Sequence, residues 1–230
     1  MIPNLKLALF DLDHTLLPID SDHAWGQFTT RLGWTDVAAF KHANDAFYAS
    51  YQAGTLDIHE YVRFALEATR LRGMAAAEAA HARFMREVIE PAITPQALAL
   101  IDAHRQAGDQ LAIVTATNEF VTRPIARRLG VPELIAVELE RGADGWITGE
   151  ITGTPSFREG KVERLRQWLG ARGLDWNSAT ITFYSDSRND LPLLEKADHP
   201  IAANPDPALR EIAQQRGWRI LDLFEPRNGS

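Results

Sequence analysis

The sequence predicts an α/β fold, a Rossmann-like parallel sheet with an all-helical block inserted near its start. Three observations predict it. Short apolar runs alternate with helical stretches, the pattern of a parallel sheet layered by helices. Three of those runs end in polar side chains, as strands do when their carboxyl ends face a site. A helical stretch of roughly seventy residues separates the first two runs, too long for an ordinary crossover.

Residues 5–10 form the first strand. Their core, Leu7-Ala8-Leu9-Phe10, is continuously apolar, as expected of a strand buried on both faces. From Asp22 to about Glu90 there is no clear strand. Residues 23–32, 37–51, 58–72 and 75–89 carry apolar side chains at three- and four-residue spacing. Asp57 before the third of these and Gly73 after it are start and stop signals. Pro91 and Pro95 end the block. Residues 96–107 then predict a helix, and 110–115 a second buried strand ending at Thr115.

A helix over 119–129 stops at Gly130. Residues 134–140 and 146–151 predict a hairpin turning at Gly142-Ala143-Asp144-Gly145. A helix over 161–169, a third core strand over 180–184 and a helix over 191–197 follow. Short strands at 200–202 and 218–221 flank a last helix, and 225–230 is a frayed tail. The expected division is a core of residues 1–17 and 91–230 with a helical cap of 18–90.

At 230 residues, 45% of them apolar, the chain can bury a full core. Its net charge of −7 speaks against a nucleic-acid partner, which needs a clustered basic face. The absence of cysteine excludes disulfides, thiolate metal sites and cysteine nucleophiles, and fits a reducing compartment. The first apolar run is too short for a signal-peptide core, and no stretch approaches a membrane span. The expectation is a cytoplasmic monomer or homodimer that acts on a small molecule.

The chemistry starts where the first strand runs into Asp11-Leu12-Asp13-His14-Thr15-Leu16. Two carboxylates delivered to one strand end repel each other and need a shared proton or a cation, most simply a hard divalent metal. Alone, Asp-x-Asp is more often an acidic turn with a helix cap. The other strand ends add Thr115 and Ser185-Asp186-Ser187-Arg188-Asn189-Asp190, and Lys161 brings a cation from the helix before the third strand. His59-Glu60 lacks the second histidine of a zinc-protease motif, and there is no Gly-x-Ser-x-Gly elbow.

Together these residues resemble the haloacid dehalogenase superfamily, specifically its phosphoserine-phosphatase-like branch. Asp11-Leu12-Asp13-His14-Thr15-Leu16 matches the first family motif, Thr115 the second, Lys161 the third, and Ser185 to Asp190 the fourth. Ser185 stands where the fourth motif carries glycine, a change expected to matter little. The helical block falls where this branch carries its small C1-type cap.

The resemblance implies that Asp11 attacks phosphorus and forms an aspartyl-phosphate, while Asp13 serves as general acid and base. It implies Mg²⁺ held by Asp11, the backbone carbonyl of Asp13, Asp186 and Asp190. Thr115, Lys161 and Asn189 would bind phosphate oxygens. A carboxylate at position 13 favours phosphate-ester hydrolysis over the dehalogenases and transport ATPases of the same superfamily.

Substrate choice falls to the cap. Nine positions after the nucleophile, where phosphoserine phosphatases carry an acid for the substrate ammonium, stands Asp20, with Asp22 and His23 beside it. Asp20 and Asp22 fit the cap of the first helix equally well. Those enzymes also use a cap arginine for the substrate carboxylate. An ungapped match puts Ala65 there, with Arg63 two residues earlier and about 200° away around a helix. An anion without a carboxylate clamp points to an amine-bearing phosphomonoester, and histidinol phosphate fits. Phosphoserine is the alternative if Arg63 or Arg70 reaches the site. A catalytically inactive binding or regulatory module is the remote alternative.

Overall fold

The computed structural model describes residues 5–224, so the predicted tail at 225–230 lies outside the described residues. Strand β1 (Leu5–Phe10) leads into the helical block of α1 (Ser21–Arg31), α2 (Val37–Ala53), α3 (Ile58–Arg72) and α4 (Met74–Phe84). Asp20, Asp36 and Asp57 precede the first three helices, and each side chain accepts a first-turn N–H. This answers donors that a helix start leaves unpaired. The last helix does not stop at residue 89 as the sequence predicts. The helix widens into a π-turn over Met85–Ile89 and continues as α5 (Glu90–Ala92). Pro91 has no N–H and its ring crowds the preceding turn, which the wider turn accommodates.

Then come α6 (Pro95–Gln106), β2 (Gln110–Asn118), α7 (Glu119–Arg128), β3 (Leu134–Val137), β4 (Leu139–Arg141) and β5 (Ile147–Ile151). The chain continues through α8 (Glu159–Gly170), β6 (Ala179–Ser185), α9 (Leu191–Leu194), β7 (His199–Ala203), α10 (Pro207–Arg216) and β8 (Arg219–Leu221). Among the described residues no helix is long and apolar enough to cross a membrane.

Six strands form one sheet in the order β3-β2-β1-β6-β7-β8, and every neighbouring pair is parallel. From β1 the chain moves to β2 and β3 on one side, then returns to β6 on the other. The strand order therefore reverses at β1, where a crevice opens beyond the carboxyl ends. Ala8 and Phe10 pack into one core cluster with Trp25, Phe28, Phe84, Ile101 and Ile125. Leu7 and Leu9 pack into the opposite one with Leu165, Leu194 and Leu209. Helices cover both faces, which explains why β1 is apolar without alternation.

Two expectations are corrected. The first arm of the predicted hairpin splits: Leu134–Val137 joins the sheet edge beside β2, and only Leu139–Arg141 pairs antiparallel with β5. Leu139, Trp146 and Ile147 of this small hairpin pack against Ile58, Val62, Leu66 and Ala77 of the helical block. The hairpin is thus a platform under α3, tied by the Trp146 indole N–H to the Arg70 carbonyl at 3.2 Å. Thr115 does not end its strand either. β2 runs on to Asn118, with a register irregularity between Val114 and Asn118.

Candidate active site

The turn after β1 sets the two aspartates. The Asp11 N–H donates to the Tyr184 carbonyl at 2.9 Å, tying the strand end to β6. The Leu12 carbonyl then accepts from Thr15, Leu16 and Leu17 at 3.3, 2.9 and 3.0 Å, a tight coil that takes His14 to φ 58°. Few residues with side chains adopt that conformation.

Lys161 is 2% exposed and donates to Asp11 Oδ1 at 2.8 Å and to Asp190 Oδ2 at 2.7 Å. It stands in the first turn of α8, next to Gly160. A Cβ on Gly160 would lie 2.0 Å from the Pro155 carbonyl oxygen, so only glycine lets this helix start lie against the preceding loop. The Ser185 hydroxyl donates to Asp190 Oδ2 at 2.6 Å. The serine in the glycine position thus gives Asp190 a second donor. Asp186 is buried alongside, 3.5 Å from the Thr15 hydroxyl.

Burial pushes the Asp11 carboxyl up, Lys161 pulls it down, and Asp190 and Asp186 push it up again. Burial alone would lower Lys161, but Asp11 and Asp190 outweigh it and hold the ammonium above its ordinary range. Two buried carboxylates thus share one ammonium, with the carboxylate of Asp186 buried beside them. Among the described residues no three acid or histidine side chains are gathered at ligand spacing. The donor set suits a hard divalent cation that keeps most of its own waters.

Asp13 is held differently. Its Oδ1 accepts the Ser21 N–H at 2.8 Å and its Oδ2 the Thr117 hydroxyl at 2.8 Å. Burial first, then the charge of Asp20, raises its pKa well above the usual carboxylate range. One aspartate is paired with an ammonium and the other is biased to hold a proton. Thr117 was not singled out from the sequence. Its signal is the Thr115-Ala116-Thr117 spacing, which puts two hydroxyls near one face of a strand. Thr115 is buried and accepts the Thr117 N–H at 3.1 Å.

On the cap side, Asp20 takes the helix-capping role expected of it. It caps α1 by accepting the His23 N–H at 2.9 Å, and its charge reaches Asp13 and Asp22. Asp22 is buried, accepts from Asn118 Nδ2 at 3.1 Å and lies beside the Tyr61 hydroxyl. Burial, then Asp20, pushes its pKa up to about 7. Asn189 lies in the loop that meets the end of α2, where the Tyr51 hydroxyl is 2.9 Å from Ser187 Oγ and within reach of Asn189.

Arg63 is not at the site. Its Nε donates to Glu150 Oε1 at 2.7 Å, and the two side chains are 52% and 45% exposed. Arg70 runs beside Gly149 of the same hairpin. A helix turns by about 100° per residue, so residues four apart share a face while those two apart do not. The face of α3 carrying Tyr61 and Ala65 is therefore not the face of Arg63.

Asp22 gives a stability prediction with a definite sign. It is protonated in both states below pH 3.8, and the unfolded chain ionises first as pH rises, so folding loses stability up to about pH 7. The loss is at most about 1.4 kcal/mol per pH unit. Asp22→Asn should match the native chain near pH 4 and melt at a higher temperature than it at pH 8. Parallel melting curves that keep a constant gap across this range would mean that the buried carboxylate carries no such cost.

One aspartate sits beside an ammonium and its neighbour is biased to hold a proton, a pairing suited to phosphoryl transfer, and the chain is a phosphoric monoester hydrolase. It belongs to the haloacid dehalogenase-like hydrolases, whose family model matches residues 8–195. It is 43% identical over 219 residues to a histidinol-phosphatase of Neisseria meningitidis serogroup C, covering 95% of this chain and 99% of that one. It is 33% identical over 223 residues to a phosphoserine phosphatase of Mycobacterium tuberculosis, covering 94% and 70%. A crystal structure of a protein of unknown function from Bordetella pertussis Tohama I superposes with a TM-score of 0.90 at 51% identity, covering 96% of this chain and all 100% of that one. A substrate-bound phosphoserine phosphatase shares the fold at 21% identity, with a TM-score of 0.63 and coverage of 94% and 92%.

Proposed function

We propose that this chain is a Mg²⁺-dependent histidinol-phosphatase working through an aspartyl-phosphate on Asp11. The observation behind this is the lining beyond Asp13, the side on which the leaving group must sit. Asp20, Asp22 and Tyr61 gather there, and among the described residues both candidate arginines of α3 lie against the hairpin instead. Such a wall accepts a cation and leaves a carboxylate without a partner. The likeness to the meningococcal histidinol-phosphatase over nearly its whole length supports the same substrate.

In this mechanism Asp11 attacks phosphorus while Asp13, kept protonated by burial and Asp20, protonates the departing oxygen. Asp13 then takes a proton from the water that hydrolyses the aspartyl-phosphate. Thr115, Lys161 and Asn189 hold the phosphate oxygens, and Asp20 receives the substrate ammonium. Mg²⁺, held by Asp11, the Asp13 backbone carbonyl, Asp186 and Asp190, would neutralise charge on the transferring group. The cap comprises residues 18–90, with Asp20, Asp22 and Tyr61 facing the leaving group.

Phosphoserine is the second reading, favoured by the mycobacterial relative. Turnover of both esters by the Mg²⁺-loaded protein decides between them. Histidinol phosphate is expected to exceed phosphoserine in kcat/KM by about 100-fold or more, because the serine carboxylate would be buried unpaired. A preference for phosphoserine would overturn the assignment.

A further inference from the structure

We propose that the guanidinium groups of Arg158 and Arg188 form an anion-capture site at the seam between α2 and the core, which draws the substrate phosphate in toward Lys161. The inference rests on phosphate being the group acted on, not on the identity of the leaving group. The need for such a site follows from charge. Asp11, Asp20, Asp186 and Asp190 lie around the reaction centre, Lys161 is the cation paired to Asp11 and Asp190, and the whole chain carries −7. A dianionic phosphate approaching that surface is repelled, and a positive mouth counteracts this by focusing the anion inward.

The two arginines supply that mouth. One Nη2 of Arg158 and one of Arg188 lie 3.0 and 3.8 Å from the point where a Cβ on Gly54 would stand. Both guanidiniums therefore converge on one spot at the end of α2. Among the described residues neither has an acidic partner, whereas Arg164, Arg172 and Arg210 are each paired with an acid. Two adjacent like charges without a counterion are unfavourable unless an anion joins them, and the guanidinium fork matches phosphate geometry.

Their backbones fix them to the reaction centre. Arg158 is three residues before Lys161 and adopts φ 52°, ψ −121°, a costly conformation of the sort kept at ligand clamps. Its guanidinium lies 4.8 Å from the Phe157 ring. Arg188 directly precedes Asn189 and Asp190, and its N–H is held by Asp206 Oδ2 at 3.1 Å. A plain helix-capping role does not account for the pair. Gly54 and Thr55 already donate to the Tyr51 and Ser50 carbonyls, and neither guanidinium hydrogen-bonds to α2.

The test is hydrolysis of p-nitrophenyl phosphate by the full chain with Mg²⁺, using the Arg158→Gln/Arg188→Gln double variant across a salt series. At about 20 mM salt kcat/KM is expected to fall about tenfold through KM, with kcat within about twofold of native. The deficit should shrink below about twofold at about 0.5 M salt, where the field is screened. Competitive inhibition by inorganic phosphate should weaken by the same factor, and the Arg158→Lys/Arg188→Lys variant should recover most of the loss. A deficit that is indifferent to salt, or that falls on kcat and is reproduced by Tyr51→Phe, would overturn capture and make the arginines a docking contact for the cap. Native kinetics in the double glutamine variant would overturn it outright.

Discussion

Asp11→Asn is expected to reduce kcat by about 10⁴-fold or more, the scale seen when a covalent nucleophile is removed. The exchange keeps the side-chain volume and the β1 backbone, including the Asp11 N–H on Tyr184. What it removes is the anion able to attack phosphorus. Lys161 keeps its bond to Asp190, and Asp13 keeps its bonds from Ser21 and Thr117. Folding should therefore survive, with a melting temperature within a few degrees of native. Loss of the Lys161 pairing is offset by relief from a buried carboxylate that Asp190 and Asp186 repel. The measurement is p-nitrophenyl phosphate turnover with Mg²⁺ beside a thermal melt. Residual activity above about one per cent would remove Asp11 as nucleophile. A native chain that folds, binds Mg²⁺ and turns over no phosphate ester would favour the inactive binding module instead.

The parts of the fold legible in the sequence are those written in local pattern. The apolar run of β1 announces burial on both faces, and three of the four motifs fall on strand ends or a helix start, while Thr115 lies inside β2. Helix phase also told that Arg63 and Ala65 face different ways, and Arg63 is indeed turned to Glu150. The split between β3 and β4 was not legible. A four-residue apolar segment has no period of its own, and only the edge of β2 and the face of α3 decide where each half goes. Thr117, Tyr51, Tyr61 and Ser185 escaped for a related reason. Each acts through a partner distant in sequence or through a loop closed by tertiary packing. Threonine, tyrosine and serine carry no type-specific mark of that role. Asp20 was legible as a helix cap from its position alone, whereas the reach of its charge to Asp13 depends on the tertiary fold.

Lys161→Met should damage activity and stability together, and stability more than Asp11→Asn does. Methionine matches the length of the side chain but leaves Asp11, Asp190 and Asp186 buried with no ammonium among them. Breaking a buried pair from one side typically costs about 3–5 kcal/mol, and loss of one positive contact to the transferring phosphoryl group about 10³-fold in rate. The stability loss should depend on pH with a definite sign. Burial already holds the Asp11 carboxyl above its unfolded value, and without the lowering charge of Lys161 it rises further. The folded chain then keeps protons that the unfolded chain gives up, and stability falls as pH rises from the unfolded carboxylate range toward neutrality. The melting gap between variant and native should be small near pH 4 and wide at pH 7. Lys161→Arg should not restore activity, because a slot 2% exposed, with contacts of 2.8 and 2.7 Å to an ammonium, has no room for the wider guanidinium. A melting gap that stays flat with pH would mean that Lys161 contributes the packing of its buried stem rather than its charge.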